Sequence, residues 1–356
     1  MKKLISILLI FCMATLLFTG CSGQKPADSK PPEEKTNEVK PIVLRFADTE
    51  VPGMPEYEGN LYFIKLVEER TKGKVKIEYY HSNQMGNDKQ ITAAAMAGTL
   101  DIVKCAAGNF SEFSKALSFT DLPGLFKNAE HMRKVWKSDI REQVTSQIKK
   151  DTGLTPVMFD IDGGAARALF YNKKPITVPA DIKGMKFRTT GSPIEVSLFK
   201  EWGVAATPMN FNELYTSLQQ GVVDGMYGHP IGTYYNKLCE VTKYCTIVDI
   251  SYITTLKLLS KSAVEKLGGE NSELYNIVIQ AGKEAELEKD KLISNKNKEI
   301  EDLITKAGVK IIKPNSDQIK LWREAAQKVW SEYVGSGKLI SEELVKKVLL
   351  TLHNVL

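Results

Sequence analysis

A chain of 356 residues, 43% hydrophobic and 26% charged, has the make-up of a soluble globular protein and is long enough for two medium-sized lobes. The net charge of +5 is small and no lysine–arginine stripe is interleaved with aromatics, which argues against nucleic acid as a partner. The four histidines are scattered, and neither G-x-S-x-G nor H-E-x-x-H occurs, so an enzyme is not expected and neither a cofactor nor a metal is called for.

The first 20 residues read as an export signal: Lys2 and Lys3 form a basic start and Leu4 to Phe18 an apolar run. That run is shorter than the roughly 20 residues a membrane-spanning helix needs. Phe18-Thr19-Gly20-Cys21 has the form of a bacterial lipoprotein cleavage box, with Phe18 where leucine is usual. Cys21 is therefore expected to carry the lipid that anchors the protein to the outer face of the cytoplasmic membrane. Loss of Lys2 and Lys3 with the signal lowers the net charge from +5 to +3. Residues 21–40 are rich in Ser, Pro, Lys and Glu, bury too little to fold, and read as a flexible tether.

The folded part opens with a strand at Val43 to Ala47 and a loop from Asp48 to Gly59. A helix follows from about Asn60 to Thr71, then a strand from Val75 to Tyr80, a helix from Asp88 to Met96 and a strand from Leu100 to Cys105. Strands alternating with helices predict an α/β fold with largely parallel sheets and right-handed crossovers. Ligands of such sheets bind beyond the carboxyl ends of the strands, which nominates Thr49 and Glu50 after the first strand and Ala106 to Asn109 after the third. Val157 to Asp160 reads as a strand leading into Ile161-Asp162-Gly163-Gly164, a crossing between lobes.

Gly184 to Gly225 carries the most information. Met185 to Arg188 alternates as a strand, Pro193 starts a helix that Gly203 stops, and Asn210 or Asn212 caps a second helix with Leu214, Leu218 and Val222 on one face. The unit delivers Arg188 to a strand end beside a loop. An arginine there either holds a carboxylate in two parallel hydrogen bonds or is a solvated strand-end charge. From Asn271 to Ala307 there is no proline, and Glu and Lys recur four apart, which predicts a continuous helix of roughly 50 Å. Helices at Ser316 to Val334 and Ser341 to Val355 close the chain. Cys239 and Cys245 can pair in an exported protein or remain thiols; spacing does not decide between them, and no zinc-ligand spacing surrounds them.

The stretch DIKGMKFRTTGSP…GVAATPMNFNELYTSLQQGVVDG resembles the solute receptors of the TRAP (tripartite ATP-independent periplasmic) transporters, the DctP family of C4-dicarboxylate and sialic-acid receptors. The resemblance runs from Leu44-Arg45-Phe46-Ala47 to about Val334 and includes the blocks Phe63 to Ile102 and Leu122 to Trp136. It implies a two-lobed periplasmic-binding-protein-like fold with the long helix lying as a strut across both lobes. The expected division is 41–163 plus about 254–290 for the first lobe and 164–253 plus about 291–356 for the second. It further implies that Arg188 meets the carboxylate of a small organic acid, with Arg167 as a second basic contact and Phe211 packed nearby. The implied partners are that ligand and the small and large TRAP membrane subunits, with the receptor expected as a monomer. The chain departs from the family after Asp224-Gly225: an acid–amide pair is replaced by Met226-Tyr227-Gly228-His229-Pro230. Tyr227 and His229 then either supply a different ligand contact or only support the turn, and Gly228 can make room for a bulkier ligand.

Overall fold

A computed structural model describes residues 40–352; the export signal, Cys21, nearly all of the tether and the last four residues lie outside the described residues. Two sheets organise the rest. The first has the order β2-β1-β3-β10-β4, with β1 at Ile42–Ala47, β2 at Val75–Tyr80, β3 at Ile102–Ala106, β4 at Thr155–Asp162 and β10 at Ile253–Leu259. The second has the order β11-β9-β5-β8-β6-β7, built from β5 Ala168–Tyr171, β6 Phe187–Thr189, β7 Ala206–Pro208, β8 Gly225–Gly228, β9 Tyr244–Ile247 and β11 Lys310–Ile312. Strands β3 and β4 are buried along their whole length, as expected where helices cover both faces of a sheet.

Neither sheet is wholly parallel. β10 runs antiparallel to both β3 and β4, and β5 runs antiparallel to both β8 and β9. β5 is reached straight from β4, and β10 straight from β9, with no crossover helix between. A strand entered this way arrives heading opposite to its neighbours, so the expectation of largely parallel sheets holds only for the remaining pairs. The two crossings lie side by side, with the Arg167 N–H donating to the Ser251 carbonyl at 2.8 Å. Gly163 and Gly164 both have positive φ in the first crossing, and a Cβ on Gly163 would come within 2.1 Å of His229 Nδ1. Only glycine meets both demands.

The helix Pro55–Arg70 begins inside the segment that reads as a loop in the sequence. Pro55 occupies its first turn, where the missing N–H is no loss, and Glu56 and Glu58 favour the positive end of the helix dipole. The predicted long helix is interrupted. Glu273–Asn297, capped by the Ser272 side chain, spans 25 residues or roughly 38 Å, and Ile300–Lys306 follows as a separate helix. Asn297 Nδ2 donates to the Gly163 carbonyl at 2.8 Å, while Ile300 and Ile304 are buried in the core around the second sheet. The turn at Lys298 and Glu299 lets the chain meet both requirements. The strut is therefore two helices: the longer packs on Pro55–Arg70 and β4, the shorter on the second lobe.

The C-terminal helices, expected with the second lobe, touch both. In Ser316–Tyr333, Trp322 packs edge-on against Trp202 and Trp330 Nε1 donates to the Pro123 carbonyl at 2.8 Å. In Glu342–Leu350, the Val348 carbonyl lies 2.9 Å from His131 Nε2. The half-buried Trp330 indole finds its acceptor at Pro123 and the buried His131 imidazole finds its partner at Val348, two contacts that hold the tail to the first lobe. The described cysteines, Cys105, Cys239 and Cys245, are buried free thiols.

Candidate functional site

The carboxyl ends of β1, β3 and β4 face the loops after β6 and β8 across a small cavity of about 70 Å³. The lobes touch around it: Asn109 Oδ1 accepts from the Gly191 N–H at 3.2 Å, and Gly108 lies against Thr190 and Ser192. A Cβ at Gly108 would sit 2.4 Å from Thr190 Oγ1 and 3.3 Å from Ser192 Cβ. Gly108→Val should therefore wedge the lobes apart and weaken ligand binding by roughly tenfold or more, about 1.4 kcal/mol. Calorimetry and a larger radius of gyration in X-ray scattering would register this, and unchanged values in both would place the closing contact elsewhere.

Arg188 enters from β6, which is paired with β7 and β8. Its Nε donates to the Met209 carbonyl at 2.9 Å, and its guanidinium lies 5.7 Å over the Phe211 ring. The residue is only 3% exposed, yet it forms no ion pair among the described residues. Burial, opposed by Glu195 and reinforced by Arg167, pulls its pKa down to about 10, so it remains a cation at neutral pH. A buried cation with free N–H groups facing a cavity is a receptor for an oxyanion, and the planar fork suits a carboxylate.

The opposite wall comes from the first sheet. Glu50 follows β1, Asp88 opens the Asp88–Met96 helix, Lys104 lies in β3 and Asp162 ends β4. Lys104 Nζ donates to Thr49 Oγ1 at 3.0 Å and lies 3.7 Å from both Glu50 and Asp88. Its strand partner is Lys257, a like-charge pairing that needs anions around it. Glu50 at 3.9 Å and Asp160 at 3.2 Å from Lys257 supply them. Burial and the neighbouring Glu50 push the Asp48 carboxyl up to about 7.

Of the residues nominated from the sequence, Thr49, Glu50, Asn109, Arg188, Phe211, Tyr227, Gly228 and His229 all line the cavity. Arg167 does not. It lies behind the wall, with Nη1 2.9 Å from Glu195, Nη2 3.8 Å from Asp121 and its guanidinium over the Tyr227 ring. Its charge is balanced by two buried carboxylates, so the second basic contact is a structural ion pair in this closed arrangement. The Tyr227 hydroxyl accepts from Ser251 Oγ at 2.9 Å, which ties β8 to the second crossing. His229 caps the Pro230–Tyr235 helix: Nδ1 accepts from the Gly232 N–H at 3.0 Å, and Nε2 faces Asp162 at 3.4 Å. That geometry fits the neutral Nε2–H tautomer. Burial lowers its pKa, but Asp162, Glu56 and Glu50 together outweigh burial and raise it.

The sequence reading missed Lys104, Asp88, Asp162 and Thr190. The legible signal was a lysine inside an apolar strand, Ile-Val-Lys-Cys-Ala, since a strand lysine flanked by buried residues must find anions.

Glu56, on the first turn of its helix, accepts from the Gly163 N–H at 2.9 Å, while its other oxygen has no donor. Burial first, and then Asp162 and Glu50, raise its pKa from 4.5 to about 7. A carboxyl whose folded pKa is raised binds protons better folded than unfolded. It favours folding below about pH 4.5, and that contribution is lost as pH rises through 7. Glu56→Gln keeps the acceptor and removes the charge. Chemical denaturation should find the variant more stable than the parent at pH 8, by on the order of 1–3 kcal/mol, and similar at pH 5. Equal stability at both pH values would contradict the raised pKa.

Receptors of the periplasmic-binding class are built on this plan, with two α/β lobes whose strand ends meet around a ligand. The chain belongs to the DctP family, bacterial extracellular solute-binding protein family 7, whose sequence profile matches residues 46–336. It is 30% identical over 311 residues to an uncharacterized protein of Haemophilus influenzae, covering 86% of this chain and 90% of that one. It is 28% identical over 251 residues to the 2,3-diketo-L-gulonate-binding periplasmic protein YiaO of Escherichia coli, covering 70% of this chain and 74% of the other. Among solved structures, a TRAP periplasmic solute-binding protein from Sulfurospirillum deleyianum with bound succinate superposes with a TM-score of 0.80 at 27% identity, covering 87% of this chain and 99% of that one. The family and the two-lobed fold are those the sequence resemblance implied.

Proposed function

We propose that this chain is an extracytoplasmic receptor that captures a small organic acid between its lobes and hands it to a TRAP-type secondary transporter. The single observation that carries the reading is Arg188: a guanidinium almost wholly removed from solvent, without an ion-pair partner among the described residues, facing the cavity between the lobes. Burying an unpaired cation is unfavourable unless an anion joins it, and closure around that anion strengthens the pair by excluding water. The names of the relatives support the same chemistry, since diketogulonate and succinate are both carboxylates.

In this reading the segments 41–163 and about 254–290 make up one lobe and 164–253 with about 291–356 the other, hinged at the paired crossings, with the C-terminal helices reaching back to Pro123 and His131 of the first lobe. Thr49, Glu50, Asn109, Phe211, Tyr227, Gly228 and His229 shape the ligand's surroundings. Cys21 carries the lipid that keeps the receptor, as a monomer, at the outer face of the cytoplasmic membrane, within reach of the small and large membrane subunits. A thermal-shift screen against small carboxylates tests the capture step, because a ligand at 100 times its dissociation constant adds about 2.7 kcal/mol. Stabilisation by acids and not by their amides is the expected result; no shift with any acid would sink the reading. Replacing Cys21 by alanine should release the protein from membranes into the soluble fraction.

A further inference from the structure

The two walls of the cavity carry opposite chemistry. The second-sheet side offers Arg188, a cation bonded to the Met209 carbonyl but with no ion pair among the described residues. The first-sheet side presents three carboxylates, Glu50, Asp88 and Asp162, against one lining lysine. Lys104 sits 3.7 Å from Glu50 and 3.7 Å from Asp88 and donates to Thr49, so its charge is already shared. Glu50 Oε1, Asp88 Oδ1 and Asp162 Oδ1 are buried without a hydrogen-bond donor among the described residues; the first two face the Lys104 ammonium at 3.7 Å and Glu50 Oε1 also faces Lys257 at 3.9 Å, all beyond hydrogen-bond distance. His229 brings Nε2 to within 3.4 Å of one Asp162 oxygen and leaves the other without a donor.

A buried acceptor without a donor is unfavourable, and a fixed set of such acceptors selects a ligand that brings donors. A second carboxylate at this end would bring none of the missing N–H or O–H groups and would set like charges against each other. We infer that the ligand is a monocarboxylate whose far end donates hydrogen bonds, through hydroxyl or ammonium groups, and that the Glu50–Asp88–Asp162 wall disfavours dicarboxylates of the same length. The inference rests on the reading that Arg188 takes a carboxylate. It goes beyond that reading by naming what the rest of the ligand must be.

The test is calorimetry of the full chain with four-carbon acids that differ only at the far end: butyrate, succinate, 4-hydroxybutyrate and 4-aminobutyrate. The five- and six-carbon counterparts and polyhydroxylated acids are run in parallel. At matched length, the hydroxy or the amino acid should bind at least roughly tenfold tighter than the dicarboxylate. Whichever of the two binds tighter identifies the donor. Succinate or a longer dicarboxylate binding as tightly as its hydroxy and amino counterparts would overturn the inference and leave the carboxylate reading of Arg188 standing. Binding by no acid of any length would overturn both. Glu50→Gln and Asp162→Asn, each checked for folding by circular dichroism, remove one wall charge apiece. In either folded variant the preference over the dicarboxylate should shrink by roughly tenfold. An unchanged ratio in both would show that the wall does not set the preference.

Discussion

Arg188→Ala should abolish capture of the organic acid while leaving the empty protein folded. The guanidinium provides the strongest attraction available to a carboxylate in the cavity, and truncating one partner of a desolvated charge pair costs on the order of 2–5 kcal/mol of binding, roughly 30-fold or more in affinity. Stability should not follow the same course. Without ligand, the side chain has one hydrogen bond, to Met209, and no ion pair among the described residues. Its removal relieves a buried, uncompensated charge, so the melting temperature of the empty protein should hold or rise. Arg188→Lys should rescue poorly, because an ammonium cannot form two parallel bonds to a carboxylate while also reaching the Met209 carbonyl. Calorimetry and thermal melts on the same preparations check both halves. Unchanged affinity in Arg188→Ala would remove this cavity as the carboxylate site.

Lys289→Met should be the most damaging single change to stability. Lys289 projects from the Glu273–Asn297 helix into the first lobe, where Nζ lies 2.8 Å from Asp160 Oδ2 and donates to Asn60 Oδ1 at 3.1 Å. Gly59 leaves the space it needs, since a Cβ there would come within 2.8 Å of Lys289 Cε. Burial pulls the lysine's pKa below its usual value and Asp160 opposes that pull. For Asp160, burial pushes up, but Lys289 and Lys257 outweigh it and hold the carboxyl below 3.8. Removing Lys289 leaves Asp160 with Lys257 alone, at 3.2 Å, and with one oxygen already lacking a donor. Breaking a buried pair by deleting one partner typically costs 3–5 kcal/mol, so a loss of about 3 kcal/mol in chemical denaturation is expected. Because the folded pKa of Asp160 is depressed, its contribution is present above the ordinary carboxylate pKa and is lost as pH falls below that value through the depressed folded one. The gap between parent and variant should therefore narrow in acid. A loss under about 1 kcal/mol at neutral pH would mean that the lysine is dispensable to the helix's attachment.

Much of the architecture follows from short-range chemistry. Asn87 and Gln90 form a reciprocal cap at the helix start, Ser192 caps the helix that Pro193 opens, and Ser272 caps the long helix. Each signal lies within three residues of what it specifies, and so could be read from the sequence. The strand-end rule found Thr49, Glu50 and Asn109, because chain direction alone determines which end of a parallel strand faces the cleft.

What remained hidden depends on residues far apart in sequence. The direction of β5 and β10 is set by how the chain crosses between lobes, which periodicity does not record. The long helix breaks after Asn297 because Gly163 and the core of the second lobe pull on successive turns, although no proline or glycine marks the place. Arg167 and Arg188 look alike as arginines beside strands. Only the fold brings Glu195 and Asp121 to the first and leaves the second without an ion-paired carboxylate among the described residues. The sequence by itself determined many of the helices, about half of the strands and the residue types available to bind an acid. The tertiary structure decided which of those charges are neutralised, because a buried charge's state is set by neighbours within a few ångströms, and these come from distant segments of the chain.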